Sequence, residues 1–159
     1  MQRPRIAGDV SGSANPLLGS WRLVSCETEA ADGSIDYPLG EDAVGLLMYT
    51  DDGHMSVSLA AAERQPFAAS DLLGGTGREK EQAAESYFSY CGRYEYRDEL
   101  VTHHVELSLF PNWSGQDQKR HVELKGARLT LEAPPFVIKG VEQRARLVWE
   151  RLAHERADS

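Results

Sequence analysis

Several features that would mark familiar protein classes are scarce in this sequence of 159 residues. It has only two cysteines, Cys26 and Cys91, and neither lies in a metal-binding spacing, so both are expected to be free, packed thiols. No apolar run approaches the roughly 20 residues of a membrane-spanning helix. The first residues also lack the apolar core of a signal peptide. We therefore expect a cytoplasmic protein with no membrane partner.

Positive charge is also in short supply. The sequence has 17 Lys and Arg residues and 25 Asp and Glu residues, which gives a formal net charge of −8. Because nucleic-acid affinity depends on neutralised phosphates, no nucleic-acid partner is expected. The chain has no Gly-x-Ser-x-Gly nucleophile motif, and the glycines at 74–77 follow a loop rather than a strand. No cofactor is predicted.

The stretch Leu100–Trp113 (LVTHHVELSLFPNW) has the alternating pattern of a β-strand. Alternate side chains of a strand point to opposite faces. One face would carry Val101, His103, Val105, Leu107 and Leu109. This face is apolar apart from the imidazole of His103, whereas His104 falls on the polar face. His103 is therefore either a hydrogen-bonded core residue or a functional group.

The stretch Lys119–Lys125 (KRHVELK) repeats this arrangement. Arg120 shares a face with Val122 and Leu124, while His121 lies on the other face. A buried Arg needs a partner or a ligand, because an unpaired buried charge is costly. If the two strands are neighbours, His103 and Arg120 both point inward, and this convergence favours a ligand site.

The remaining pattern predicts an all-β fold. Strands are predicted at 18–28, 44–50, 54–59, 92–97, 100–110, 118–125, 127–133 and 142–152. Thr76 and Glu79 predict a capping box for a helix that runs to about Cys91, with Gly92 as its C-terminal cap. Short strands and tight turns predict an eight-stranded up-and-down antiparallel barrel with one helix inserted between strands 3 and 4. A sandwich of two small sheets is the alternative. The barrel is placed at residues 17–152, after a disordered leader at 1–16 and before a frayed tail at 153–159.

Four segments resemble one known family. LLGSWRLVSCET, YPLGEDAVGLLMYTDDGHMSV, VTHHVELSLFPNW and LVWER together are similar to the bacterial and fungal lipocalin-like domain family, a group of calycin-type barrels. The segment Gly19–Trp21 resembles the lipocalin Gly-x-Trp signature, which implies that Arg151 lies over Trp21 at the barrel floor. The resemblance implies a small barrel with an enclosed cavity, and some members are similar to proteins of natural-product biosynthesis. The chain departs from secreted lipocalins because its helix comes mid-chain.

The functional prediction is a small-molecule site inside this barrel, with His103 and Arg120 as candidate catalytic residues. The predicted ligand-binding residues are Trp21, Leu23, Tyr49, Met55, Val57, Tyr87, Tyr94, Tyr96, Val105, Leu107, Trp113, Val122, Leu131, Leu147 and Trp149, with Tyr49 and Trp113 at the mouth. A metal site through His104, Glu106, His121 and Glu123 is not favoured, because their face is polar and solvated.

Two hypotheses about function are open at this point. One is a cofactor-independent isomerase, cyclase or dehydratase acting on a hydrophobic polyketide-like or terpenoid-like molecule, with His103 moving a proton. The alternative is a non-catalytic carrier of a small amphipathic acid, in which Arg120 anchors the headgroup. The enzyme is preferred because imidazole and guanidinium within an apolar shell form an acid–base arrangement. Either protein has a small hydrophobic or amphipathic partner, and a homodimer is left open.

Overall fold

The computed structural model describes residues 14–154, so most of the predicted leader (1–16) and tail (153–159) lies outside the described residues. The strands are β1 (Gly19–Ala30), β2 (Ile35–Asp36), β3 (Val44–Tyr49), β4 (His54–Ala60), β5 (Tyr87–Arg97), β6 (Leu100–Ser108), β7 (Asp117–Lys125), β8 (Arg128–Glu132), β9 (Phe136–Ile138) and β10 (Val141–Arg151). The helix α1 (Gly77–Glu85) follows β4, and a 3-10 helix covers Pro111–Trp113.

Eight of the strands form a closed antiparallel barrel. Its ring order is β1-β3-β4-β5-β6-β7-β8-β10, and pairing of β1 with β10 closes the ring. The short β2 and β9 extend this sheet beside β1 and β10. The predicted antiparallel barrel is confirmed, and the sandwich is excluded by the closure. Because the two-residue β2 was not predicted, α1 follows the fourth strand of the chain rather than the third.

The floor of the barrel is built around Trp21. Its side chain is fully buried, and its Nε1–H donates to the carbonyl of Leu17 at 3.0 Å. The guanidinium of Arg151 lies 4.2 Å from the centre of the indole ring and donates to the carbonyls of Leu18 and Pro16. The predicted Arg151–Trp21 contact is therefore confirmed, and such a cation–π contact stabilises by about 0.5–2 kcal/mol.

The helix begins as predicted but ends early. Thr76 and Glu79 form the predicted capping box, in which each side chain satisfies a backbone N–H of the other residue. The helix ends at Glu85, however, and Tyr87–Arg97 is one long strand. The prediction of a helix to Cys91 is wrong, as is the role of Gly92 as its cap. Aromatic residues have high strand propensity, and pairing with β4 and β6 decides the structure of this segment.

A β-bulge between β5 and β6 reverses the predicted orientation of Leu107. Gly92 pairs with Val105, but Cys91 pairs with Leu107, so one residue of β6 is left over. The extra residue shifts the alternation, and Leu107 is 69% exposed. Its assignment to the ligand site is therefore wrong. The backbone of β6 crosses so close to Gly92 that an added Cβ would lie 2.0 Å from the carbonyl oxygen of His104.

A second bulge, between Leu23 and Ser25, shifts the alternation of β1. Val24 turns outward, and Cys26 and Thr28 are buried on the inner face. Cys26 and Cys91 are both free thiols, as expected. The position of Thr28 follows entirely from this bulge, since unbroken alternation from Trp21 would have placed Thr28 outside.

Candidate functional site

A cavity of about 1150 Å³ lies within the barrel. Strands β1, β3, β4, β5, β6, β7, β8 and β10 all contribute to its wall, together with the end of α1 and the segments 109–113 and 133–139. These last three lie outside the eight barrel strands and therefore mark the mouth. The wall is mostly apolar, and its aromatic part includes Phe88, Tyr90, Trp113 and Trp149. An apolar cavity with a few convergent polar groups is typical of small-molecule sites.

His103 is the centre of the polar part of the wall. It is 1% exposed, and both ring nitrogens are occupied by phenol oxygens. The Tyr49 oxygen lies 2.7 Å from Nε2, and the Tyr90 oxygen lies 2.7 Å from Nδ1. Tyr90 and His103 line the cavity, whereas Tyr49 lies behind the imidazole and does not. Since no ring nitrogen is free, His103 acts on a ligand only through Tyr90.

The electrostatics of this cluster favour neutral side chains. Burial, followed by the nearby charge of Arg120 and then by His104, lowers the pKa of His103 from 6.5 to about 3. Burial also raises the pKa of the Tyr49 phenol and of the Tyr90 phenol, and Arg120 opposes both rises in part. At neutral pH the imidazole is therefore uncharged, with one N–H donor and one acceptor nitrogen.

The available hydrogen-bond partners in this cluster indicate which atom carries each proton. Among the described residues, the Tyr49 hydroxyl has His103 as its only hydrogen-bond partner. A buried hydroxyl proton without an acceptor is costly, so Tyr49 donates to Nε2. The Nδ1–H of His103 must then donate to the Tyr90 oxygen. Tyr90 is left with its own proton, which it can donate to a molecule in the cavity.

The buried neutral state of His103 predicts a pH dependence of stability. Its pKa in the folded protein, about 3, is below the 6.5 of an exposed imidazole. Below pH 6.5 the unfolded chain therefore binds a proton that the folded chain does not, and stability falls as the pH falls. Between pH 7 and pH 5.5 the free energy of unfolding should drop by roughly 1 kcal/mol more in the wild type than in His103→Gln. Urea unfolding at the two pH values measures this difference, and equal drops would contradict a neutral buried His103.

Two cationic residues line the cavity, Arg120 on β7 and Lys139 in the segment at the mouth, and Arg120 is the one beside the His103 cluster. Its guanidinium lies 5.9 Å from the ring centre of Trp113, and it donates to the carbonyl of Lys119 at 2.8 Å. Among the described residues it forms no salt bridge. A partly buried guanidinium with no carboxylate partner is available to bind an anionic or carbonyl oxygen.

The predicted site residues divide into three groups. The cavity is lined by Val57, Tyr87, His103, Trp113, Arg120, Leu131, Leu147 and Trp149. Trp21, Leu23, Tyr49, Met55, Tyr94, Val105 and Val122 are buried in the packed core without lining the cavity, and Tyr96 is partly buried against that core. Leu107 lies outside. Tyr49 was predicted at the mouth, but it is 2% exposed and packs edge-on against Tyr94.

Sequence reasoning missed Tyr90 and Thr28, which both line the cavity. Tyr90 was assigned to the helix. The signal that could have found it is the period-two series Phe88, Tyr90, Gly92, Tyr94 and Tyr96, which is typical of a strand. Thr28 was hidden by the bulge in β1, which has no signature in the sequence.

The polar face of β6 and β7 points to solvent. His104 lies 2.7 Å from Asp117 and 3.2 Å from Glu95, and its bond to Asp117, followed by Glu95, raises the pKa of His104 against the effect of burial. His121 is exposed. Within residues 14–154 no group of three or more His, Cys, Asp or Glu side chains is placed to hold a metal ion. In the same range no helix is long and apolar enough to span a membrane.

Comparisons with known proteins agree with this architecture. Residues 18–152 match a family model described as a lipocalin-like domain. A protein of Aspergillus oryzae (strain ATCC 42149 / RIB 40), named 4'-hydroxy-3'-methoxypropiophenone carrier protein, is 40% identical over 91 residues, which cover 52% of this chain and 82% of that protein.

Two solved structures are similar at low identity. An uncharacterized protein from Bacteroides eggerthii DSM 20697 has a TM-score of 0.42 at 14% identity, covering 86% of this chain and 99% of the other. A protein described as the REP1-NXSQ fatty acid transporter has a TM-score of 0.40 at 14% identity, covering 87% of this chain and 98% of the other.

Proposed function

Because the chain belongs to the lipocalin-like domain family, we propose that it is a carrier, which holds a small hydrophobic or amphipathic molecule inside the barrel without changing it. The observation that carries this proposal is the cavity of about 1150 Å³, whose mostly apolar wall places the cationic Arg120 beside the Tyr90–His103 pair. The relative from Aspergillus oryzae is named as a carrier of an aryl ketone, which supports the same role.

The bound molecule is held at one end by Arg120 and Tyr90. Arg120 supplies charged N–H donors, and Tyr90 supplies the hydroxyl proton that His103 leaves free. Both groups donate, so the ligand presents an acceptor there, which is a carboxylate, phenolate or ketone oxygen. The aromatic wall around Phe88 and Trp113, whose ring centres lie 5.2 Å apart, suits an aromatic or other flat apolar body.

The isomerase or cyclase hypothesis is less well supported. A general base must reach the proton that it removes, and its pKa should lie near the working pH. His103 meets neither condition, since both nitrogens face tyrosine hydroxyls and its pKa is about 3. In this proposal His103 is a positioning residue, which orients Tyr90 toward the ligand.

The assigned proton positions predict how removal of the Tyr90 hydroxyl or of the Tyr49 hydroxyl changes ligand binding. Tyr90→Phe should weaken binding of 4'-hydroxypropiophenone about fivefold, because one hydrogen bond is lost. Tyr49→Phe should leave this affinity nearly unchanged, because Tyr49 does not line the cavity and its loss does not engage the Tyr90 proton. A switch to the Nε2–H tautomer would leave a buried N–H without an acceptor, so Nδ1–H continues to donate to Tyr90, and the Tyr90 proton stays available to the ligand. Isothermal titration calorimetry measures both affinities.

Tyr94→Phe is the matched control for these two variants. The Tyr94 hydroxyl is bonded to the Thr50 carbonyl at 2.8 Å and does not line the cavity, so its loss should change stability but not affinity. A gain in affinity in Tyr49→Phe would show that the proton order is the reverse of the one assigned, because loss of the Tyr49 acceptor would then free the Tyr90 proton for the ligand.

The carrier role is tested by recovering the ligand. Purified protein is incubated with 4'-hydroxy-3'-methoxypropiophenone, and bound and free fractions are separated and examined by chromatography and mass spectrometry. A carrier returns the compound unchanged, in an amount equal to the protein that bound it. Formation of a new product in excess of the protein would overturn the carrier proposal in favour of catalysis.

A further inference from the structure

Apolar side chains are exposed at the mouth of the cavity. Leu109, Phe110 and Val141 are 43%, 45% and 49% exposed, and all three line the cavity. Val141 faces the interior, because alternate residues of β10 from Val141 to Trp149 line the cavity. These three exposed side chains form the apolar rim of the mouth. Exposed apolar surface that continues into a pocket is typical of a ligand-binding groove.

The rim lies at the open end of the barrel, opposite the floor. Trp21 and Arg151 fill the floor, and the hairpin turns at that end are short, at 50–53, 98–99 and 126–127. The connections at the opposite end are longer, and two of them, 109–116 and 133–140, contribute to the cavity wall. A molecule therefore enters and leaves the cavity past the rim.

A row of aromatic rings connects the rim with the buried polar cluster. The ring centre of Tyr90, a residue that is 7% exposed, lies 5.7 Å from that of Trp113. The Trp113 ring in turn lies 6.2 Å from the ring of Phe110 on the rim. Phe88 packs beside the row, at 6.0 Å from Tyr90 and 5.2 Å from Trp113. The donors of Tyr90 and Arg120 are therefore at the inner end of the row, and Phe110 is at its outer end.

The opposite wall, on β10, is also mostly apolar. β10 is four strands from β5 in the ring of eight, so the two strands face one another across the cavity. Apart from Gln143, the β10 side chains that line the cavity between Trp149 and the rim are apolar. Three charged side chains also line the cavity near the mouth, and all three are exposed to water: Asp36, Glu85 and Lys139. An apolar chain between the two walls therefore contacts apolar groups over most of its length.

The volume of the cavity exceeds what a small aryl ketone needs. About 1150 Å³ is above the roughly 300–1,000 Å³ of pockets that hold drug-sized ligands. Because protein interiors are closely packed, a ligand that fills this space has more apolar atoms than one aromatic ring supplies.

We propose that the ligand is an aromatic molecule with an acceptor oxygen at one end and a flexible alkyl tail at the other, and that it binds with the oxygen innermost and the tail on the rim. Its oxygen binds Tyr90 and Arg120, its ring packs against Phe88 and Trp113, and its tail extends past Phe110. This inference rests on the proposed carrier function and specifies the class and the orientation of its ligand.

The tail is tested with three acids that share one head: 4-propylbenzoate, 4-pentylbenzoate and 4-octylbenzoate. By isothermal titration calorimetry, affinity should increase about threefold for each added methylene group, because each one leaves water for an apolar wall. If 4'-hydroxypropiophenone binds but the acids do not bind, or bind equally, the tail site is wrong and the carrier proposal stands. If neither the acids nor 4'-hydroxypropiophenone binds, the proposed carrier function fails and this inference fails with it.

Two substitutions on the rim locate the tail. Phe110→Ser and Val141→Ser should each weaken binding of 4-octylbenzoate about fivefold, and should change binding of 4-propylbenzoate by less than about twofold. Val44→Ser is the matched control, since Val44 begins β3 as Val141 begins β10, is 50% exposed and does not line the cavity. Circular dichroism verifies that each variant is folded. If both rim variants bind 4-octylbenzoate as tightly as Val44→Ser does, the tail does not lie on the rim.

The orientation is tested with 4-octylbenzoate that carries a nitroxide at the end of its tail. In ¹⁵N-labelled protein, the backbone amide signals of 109–116 and 133–140 should broaden more than those of the floor turns at 98–99 and 126–127. Stronger broadening at the floor turns would mean that the tail points inward, and would overturn the proposed orientation.

Discussion

Gly92→Ala is expected to destabilise the barrel by about 3 kcal/mol or more, the largest stability change among the substitutions considered. The added Cβ would lie 2.0 Å from the backbone carbonyl oxygen of His104 and 2.9 Å from the backbone nitrogen of Glu106. Backbone atoms cannot rotate away as a side chain can, so β5 and β6 would have to separate at the bulge. Urea unfolding followed by circular dichroism measures the loss.

Gly77→Ala is the control for this substitution. Gly77 is the first residue of α1, and a Cβ there meets nothing within 4 Å. Alanine is the better helix former, so this variant should be as stable as the wild type or slightly more so. A Gly92→Ala protein with wild-type stability would mean that the bulge in β6 is not needed for the barrel.

Arg120→Met is expected to cause the largest change in binding. Methionine keeps the length and apolar packing of the arginine stem and removes the charge. A hydrogen bond to a charged group contributes about 1.5–3 kcal/mol, so affinity for 4-phenylbutyrate should fall about thirtyfold. Affinity for the neutral amide of the same acid should fall much less. Isothermal titration calorimetry with both probes separates the loss of charge from a change in cavity shape.

Lys119→Met removes the same charge from the neighbouring residue on the same strand. Lys119 is exposed and absent from the cavity wall, so the affinity of this variant for 4-phenylbutyrate should stay within about twofold of the wild type. An equal loss in the two variants would indicate that general surface charge attracts the acid, and would remove Arg120 from its proposed role as an anchor.

Alternation in the sequence predicted the inner face correctly wherever the pairing is regular. His103 and Arg120 were found because each is the single basic residue on an otherwise apolar face, and both line the cavity. The prediction of the inner face failed beyond the bulges at Val24 and Glu106, because each bulge inserts one residue and reverses the alternation that follows it. A bulge depends on how closely two backbones approach, and single-strand patterns do not contain that distance.

The segment Tyr87–Cys91 was ambiguous for a different reason. Tyr87, Phe88 and Cys91 have the spacing of a helix face, while Phe88, Tyr90 and the following residues alternate as in a strand. Local propensity cannot decide between such patterns, and pairing with both neighbouring strands does. Because this segment was assigned to a helix, Tyr90 was not predicted to line the site. The hydrogen bonds that hold the neutral His103 ring between two tyrosine hydroxyls were therefore not predicted either.

Closure of the ring has a consequence for the order of events during folding. The contact of Arg151 with Leu18 joins positions 133 residues apart, and β10 also supplies Leu147 and Trp149 to the cavity wall. A barrel lacking β10 would have an open seam beside β1 and β8, and no enclosed space for a ligand. During synthesis on the ribosome, a binding-competent interior can therefore form only after β10 has emerged. Contacts so distant in the chain form slowly, so folding on a millisecond-to-second timescale is expected, with acquisition of the ligand among its last steps.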